Sequence, residues 1–208
     1  MKRIEHREDF WPFSFVEYTP EEGAENLPLV IQLHGAGERG NGEDELAIVE
    51  RHGLCSFMKD GEYPCRLLMP QCPKDSFWAA RVESIVSFVE KAITYYKADK
   101  KRVYLTGLSM GGFGTWYTAM ARPDLFAAIV PICGGGMPWN AGVLNMPIWV
   151  FHGAEDTVVL PSNSQDMVDK LRALGKDVTY TCYEGVQHNS WVYAYNETLL
   201  NWLLSKSK

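Results

Sequence analysis

Between residues 28 and 183, short apolar runs alternate with longer stretches whose apolar positions recur every three to four residues. The runs at 28–34 (PLVIQLH), 66–71 (RLLMPQ), 102–108, 127–133 and 147–152 (PIWVFH) are nearly continuous and too short for helices. Such runs predict strands buried on both faces. Residues 13–19 alternate apolar and polar side chains up to Pro20 and predict an early antiparallel or edge strand, followed by a turn over 21–27. Val178, Tyr180 and Cys182 alternate with Thr179 and Thr181, which predicts a last strand near the sheet edge. Helical spacing appears at 82–96, at 110–120, at 162–174 with Gly175 as its stop, and at 191–204. A further helix is expected from Glu45, capped by Asp44. Strands alternating with helices, without repeats or linkers, predict one α/β domain over residues 1–208. Its sheet should be mostly parallel, with helices on both faces.

In a parallel sheet, chemistry gathers in the loops that follow the carboxyl ends of the strands. The sharpest signal lies in such a loop, at Gly107-Leu108-Ser109-Met110-Gly111. This G-x-S-x-G pattern falls between a predicted strand and a predicted helix, where a strained turn pushes the serine out of the backbone. A serine hydroxyl is a poor nucleophile at neutral pH and needs a base, and the base needs an orienting group. Asp156 follows the 147–152 strand and His188 follows the 178–182 strand, in the order Ser, Asp, His. We therefore expect Ser109 as nucleophile, His188 as base and Asp156 as orienting acid. The amides of Met110 and of Ala36, in the glycine-rich loop 34–42, are the expected oxyanion donors, with Gly37 as the alternative second donor. Trp139, Trp191 and Arg39 stand in loops or at loop edges and are the candidates for substrate contact, whereas Trp78 is expected in the core.

Other residues invite plainer readings. His34 and His152 each precede a glycine at a strand end and are expected to brace loops, while His6 and His52 carry no functional argument. Glu155 competes with Asp156 for the role of acid, and Glu184 reads as a surface charge. No H-E-x-x-H or clustered Cys/His spacing is present, so neither a metal nor a cofactor is expected.

Composition narrows the classes. A hydrophobic content of 46% excludes a disordered chain, and a formal charge of -6 argues against nucleic acid or an anionic membrane as partner. No apolar run approaches the roughly 18 residues needed to span a bilayer. The N-terminus has a basic start but no apolar core, so no signal peptide is expected. Five scattered cysteines suit a reducing, cytoplasmic compartment. Oligomeric state leaves no mark in the sequence.

The residues also carry a family resemblance. Leu33-His34-Gly35-Ala36-Gly37-Glu38-Arg39-Gly40, then 107–116 (GLSMGGFGTW), then 123–135, with His152-Gly153, Asp156 and His188 before Trp191, resemble the serine esterase branch of the α/β-hydrolases. Within it, the likeness is to the phospholipase/carboxylesterase and dienelactone-hydrolase-like groups, including compact bacterial proteins described as esterases or predicted peptidases. The resemblance covers residue 28 to the C-terminus. It implies an α/β-hydrolase fold, Ser109, Asp156 and His188 as the triad, and the His34 loop as the oxyanion side. Dienelactone hydrolases proper carry cysteine where this chain has Ser109, so that exact reaction is not expected. Only residues 134–146 separate two core strands where many lipases insert a cap, so no large lid and an open pocket are expected. The expected activity is hydrolysis of small acyl or aromatic esters, acetyl or feruloyl carbohydrates among them, through an acyl-enzyme. The rivals are a small-peptide serine peptidase and a binding protein that kept the fold without the chemistry.

Overall fold

The computed structural model describes residues 1–23 and 25–208. The turn expected over 21–27 includes Ala24, which lies outside the described residues. Eight strands form one sheet: β1 (Lys2–His6), β2 (Phe15–Thr19), β3 (Leu29–Leu33), β4 (Arg66–Pro70), β5 (Val103–Leu108), β6 (Ala128–Ile132), β7 (Ile148–Gly153) and β8 (Val178–Tyr183). Their order is β1-β2-β4-β3-β5-β6-β7-β8. β1 and β2 run antiparallel to their neighbours, and every pairing from β4 to β8 is parallel. The sheet is open, with β1 and β8 as its edges.

Alternate side chains of each strand enter opposite layers, as the period of two requires. Leu29, Ile31, Leu33, Leu105 and Ile129 join one apolar cluster with Ile85, Phe88, Trp116, Met167 and Leu171. Val30, Tyr104, Ala128 and Val130 join another with Met58, Ala194, Leu199, Leu200 and Leu203. Helices α2 (Val82–Tyr95), α3 (Met110–Ala121) and α4 (Ser162–Ala173) therefore cover one face. The other face is covered by α1 (Cys55–Met58), α5 (Trp191–Ala194) and α6 (Glu197–Leu204). This is the mostly parallel sheet with helices on both faces expected from the alternation of runs, and the α/β-hydrolase fold that the resemblance implies. No helix of the described residues is long and apolar enough to cross a membrane.

Three local expectations change. The 13–19 strand is antiparallel but is not an edge, because Lys2–His6 pairs outside it. Glu17 is buried as a result, hydrogen-bonded to Arg66 and, at 2.6 Å, to His6 Nε2. The helix expected from Glu45 is instead a 3₁₀ turn, Leu46–Arg51, followed by the short α1. Asp44 does not cap it; its carboxylate accepts from Asn41 Nδ2 at 2.6 Å. The cause of the break is Gln32 on β3, whose buried amide donates to the His52 carbonyl (3.0 Å) and accepts from the Leu54 amide (2.8 Å). The helix expected over 191–204 breaks after Ala194, and Asn196 starts α6 by accepting from Leu199 N–H at 3.0 Å.

Candidate active site

β5 ends at Leu108 and α3 begins at Met110, so Ser109 alone makes the turn between them. Its backbone lies at φ 52° and ψ -115°, a strained region that costs on the order of 1–3 kcal/mol for a residue with a Cβ. Close backbone approach holds it there. A Cβ on Gly111 would fall 2.0 Å from the Leu33 carbonyl oxygen, and one on Gly112 would fall 2.5 Å from that of Ile132. Only glycine lets α3 start so near the ends of β3 and β6. The Ser109 amide donates to Ile132 O at 2.9 Å, which ties the turn to β6.

The turn presents the serine hydroxyl to the loop after β8. Ser109 Oγ lies 2.8 Å from His188 Nε2, and His188 Nδ1 lies 2.7 Å from Asp156 Oδ2. The carboxylate only accepts, so Nδ1 carries the ring proton and Nε2 is left to accept from the serine. The other carboxylate oxygen, Oδ1, accepts from the amides of Val158 and Val159, both at 2.9 Å. Burial raises the Asp156 carboxyl, but the hydrogen bonds from His188 and from the two amides outweigh it and hold the group below the usual carboxylate range. Glu155, the competing acid, is exposed, and its amide donates to Val186 O at 2.9 Å.

Ala36 opens a short 3₁₀ turn, Ala36–Glu38, and Met110 opens α3. A first helical residue has no intrahelical acceptor for its amide, so both N–H groups are free to serve an oxygen at the site. His34 fixes the first of these loops. Its Nδ1–H donates to Gly35 O at 2.6 Å, and its Nε2 accepts from Cys72 N–H at 2.9 Å. Trp78 is fully buried and donates from Nε1 to His34 O at 2.9 Å, which settles it as core.

A cleft of about 290 Å³ opens above the serine, lined by Ala36, Glu38, His52, Val158, His188 and Trp191 among others. Trp191 stands edge-on to His188, with ring centroids 5.4 Å apart at 89°, and at the same centroid distance from His52. Of the substrate-contact candidates, Trp191 alone is in this lining. Trp139 is 80% exposed in the turn Pro138–Val143. Arg39 spends its guanidinium on the Ala36 and Ser76 carbonyls at 3.0 and 3.3 Å, bracing the Ala36 loop from outside. Sequence spacing missed Glu38 and His52. Glu38 is buried with Arg51 and His52 at 3.9 and 4.0 Å, and His52 is brought to the cleft by the Gln32 pin, a contact between residues twenty apart that no local pattern announces.

Beside Ser109, ligand atoms of Cys133, Asp156 and His188 lie within 4.8 Å of one another. Burial, the leading influence, pushes the Cys133 thiol up to about 12. All five cysteines are unpaired, and only Cys182 is exposed.

The sequence profile of the Dienelactone hydrolase family matches residues 71–196, more than half of the chain. The chain belongs to the dienelactone hydrolase family. Within the profile-matched stretch of this dienelactone hydrolase family member lie Ser109, Asp156 and His188. The solved structure of a thermostable esterase superposes with a TM-score of 0.81 at 33% identity, over 100% of this chain and 63% of that one. A bifunctional acetylxylan esterase/xylanase of Neocallimastix patriciarum is 28% identical over 148 residues, 68% of this chain and 21% of that protein. A poly(3-hydroxyalkanoate) depolymerase of Paucimonas lemoignei is 28% identical over 199 residues, 74% of this chain and 47% of that protein. The chain thus spans half or less of these two relatives.

Proposed function

We propose that this dienelactone hydrolase family member is a serine carboxylesterase, acting as a single domain on small acyl or aromatic esters, acetylated or feruloylated carbohydrates among them. The observation that carries this reading is the unbroken chain of contacts from Ser109 Oγ through the His188 ring to Asp156 Oδ2, at 2.8 and 2.7 Å. In the first half-reaction the Ser109 oxygen bonds to the acyl carbon while its proton passes to His188 Nε2. The carbonyl electron pair moves onto oxygen, where the Ala36 and Met110 amides receive it. Collapse breaks the ester C–O bond, and His188 returns the proton to the departing alcohol. Water then attacks the acyl-serine with His188 as base, and the acid leaves as Ser109 regains its proton.

The open cleft supports small or accessible esters, and the acetylxylan esterase likeness supports a carbohydrate alcohol. The unpaired cysteines support a cytoplasmic location. The test is hydrolysis of p-nitrophenyl esters from acetate to decanoate, methyl ferulate and acetylated xylo-oligosaccharides by wild type and Ser109→Ala. The expected result is a preference for short or feruloyl esters, lost in the variant. Activity that persists in Ser109→Ala removes the nucleophile from this mechanism, and activity on aminoacyl anilides alone replaces the esterase with a peptidase.

A further inference from the structure

We propose that His152 is a positioning residue for the acid of the triad, holding the Asp156 carboxylate through its Nε2–H. The assignment rests on Ser109, His188 and Asp156 being the catalytic set. His152 is the penultimate residue of β7, four residues before Asp156, and is fully buried. Its Nε2 faces two acceptors: Val159 O at 2.9 Å and Asp156 Oδ2 at 3.2 Å. Neither oxygen has a proton to give, so Nε2 must carry one.

Its Nδ1 lies 2.7 Å from Ser164 Oγ on α4, which is itself 3.0 Å from Gly134 O. The single hydroxyl proton goes either to the ring or to the carbonyl. Burial, the largest influence on His152, lowers its affinity for a second proton, so the ring is neutral and Ser164 donates to Nδ1.

Two consequences follow for the site. Val159 is pinned at its carbonyl by His152 while its amide holds Asp156 Oδ1, so the ring fixes the loop that fixes the carboxylate. The same N–H sits beside Oδ2, the oxygen that receives His188 Nδ1, and drains charge from it. The titratable groups facing this pair are His188 from the loop after β8 and the Cys133 thiol from the end of β6. Cys133 remains a neutral thiol through the neutral range.

The experiment compares wild type, Ser109→Ala, His152→Phe and His152→Gln on p-nitrophenyl acetate across pH 5 to 9. Glutamine keeps an N–H where Nε2 lies; phenylalanine keeps the ring volume and loses both polar contacts. For His152→Phe, kcat should fall roughly 10- to 100-fold with KM little changed, as expected when a reacting group loses its alignment. The acid limb of its pH profile should move to higher pH, because an undrained carboxylate favours the protonated base. His152→Gln should recover most of kcat and the original limb. In wild type, ¹⁵N-edited spectra of the imidazoles should show His152 as the Nε2–H tautomer at neutral pH, a reading that needs no variant to fold.

A folded His152→Phe with the wild-type kcat and limb overturns the proposal, as does an Nδ1–H tautomer. If Ser109→Ala is active, the catalytic set itself fails. If Ser109→Ala is inactive and His152→Phe is unimpaired, only the positioning role fails.

Discussion

Lowering the pH should loosen the Ala36 loop through His34. Both ring nitrogens of His34 are committed in the neutral form, Nδ1–H to Gly35 O and Nε2 to Cys72 N–H. A second proton would set N–H against N–H inside a buried pocket. Burial is the main cause that pushes His34 down to about 4 from its ordinary 6.5. The folded value lies below the unfolded one, so between them the unfolded chain binds more protons and stability rises with pH. His34's contribution is fully present above pH 6.5 and is lost as pH falls toward 4. From these two values, about 2 kcal/mol disappears between pH 7 and pH 5, and about 3 kcal/mol once pH is below 4. For a chain of this length, 2 kcal/mol corresponds to about 4–8 °C in Tm. Urea unfolding at half-unit steps from pH 7 to pH 5 stays above the range where most carboxylates titrate and isolates the histidines. His34→Gln removes the titration, and it also loses ring contact with Trp78, so the slope is compared and not the absolute stability. The variant should show a slope shallower by up to about 1.4 kcal/mol per pH unit. An identical slope in both proteins refutes the reasoning.

Gly111→Ala places a Cβ 2.0 Å from the Leu33 carbonyl, and since that neighbour is backbone the cost should be about 3 kcal/mol or more, seen as a collapse of soluble yield or of the urea midpoint. Asn196→Ala removes the acceptor for Leu199 N–H and should cost about 1 kcal/mol in urea unfolding, with Asn196→Asp near wild type. Trp191→Ala should lower kcat/KM for methyl ferulate about tenfold and for p-nitrophenyl acetate less, since the ring walls the cleft. Equal losses on both esters would assign Trp191 to the support of His188 instead.

Much of the sheet was legible because parallel strands buried on both faces must be nearly all apolar, and PLVIQLH and PIWVFH admit few other readings. Lys2–His6 escaped notice because its outward face is charged and its partner β2 looks like an edge until β1 is laid beside it. The break at 46–58 was equally hidden, since Gln32 creates it from another strand. At the site, the G-x-S-x-G turn and the two strand-end loops marked Ser109, Asp156 and His188 by position alone, and the fold brings their side chains within hydrogen-bond reach. Glu38, His52 and Val158 carry no such mark, because a cleft wall is assembled from whatever the loops bring to it.

The strain at Ser109 has a counterpart that explains how it is held. Cys133, at the end of the neighbouring strand, also has a positive φ, 40°, and its amide donates to Phe151 O at 2.8 Å on β7. Ser109 donates in the same way to Ile132 on β6. Each strained residue is thus anchored to the next strand toward β8, and β7 in turn carries His152 and leads to Asp156. A Cβ on Gly134 would strike the Gly112 carbonyl carbon at 2.6 Å, so the turn after β6 and the start of α3 are locked backbone to backbone. The cost of the serine's conformation is met by sheet pairing that is already required for the fold, and the same pairing sets the spacing between Ser109 and Asp156. Substitutions at Gly112 or Gly134 should therefore damage stability and the alignment of Ser109 with His188 together, whereas those at exposed Trp139 should leave both intact.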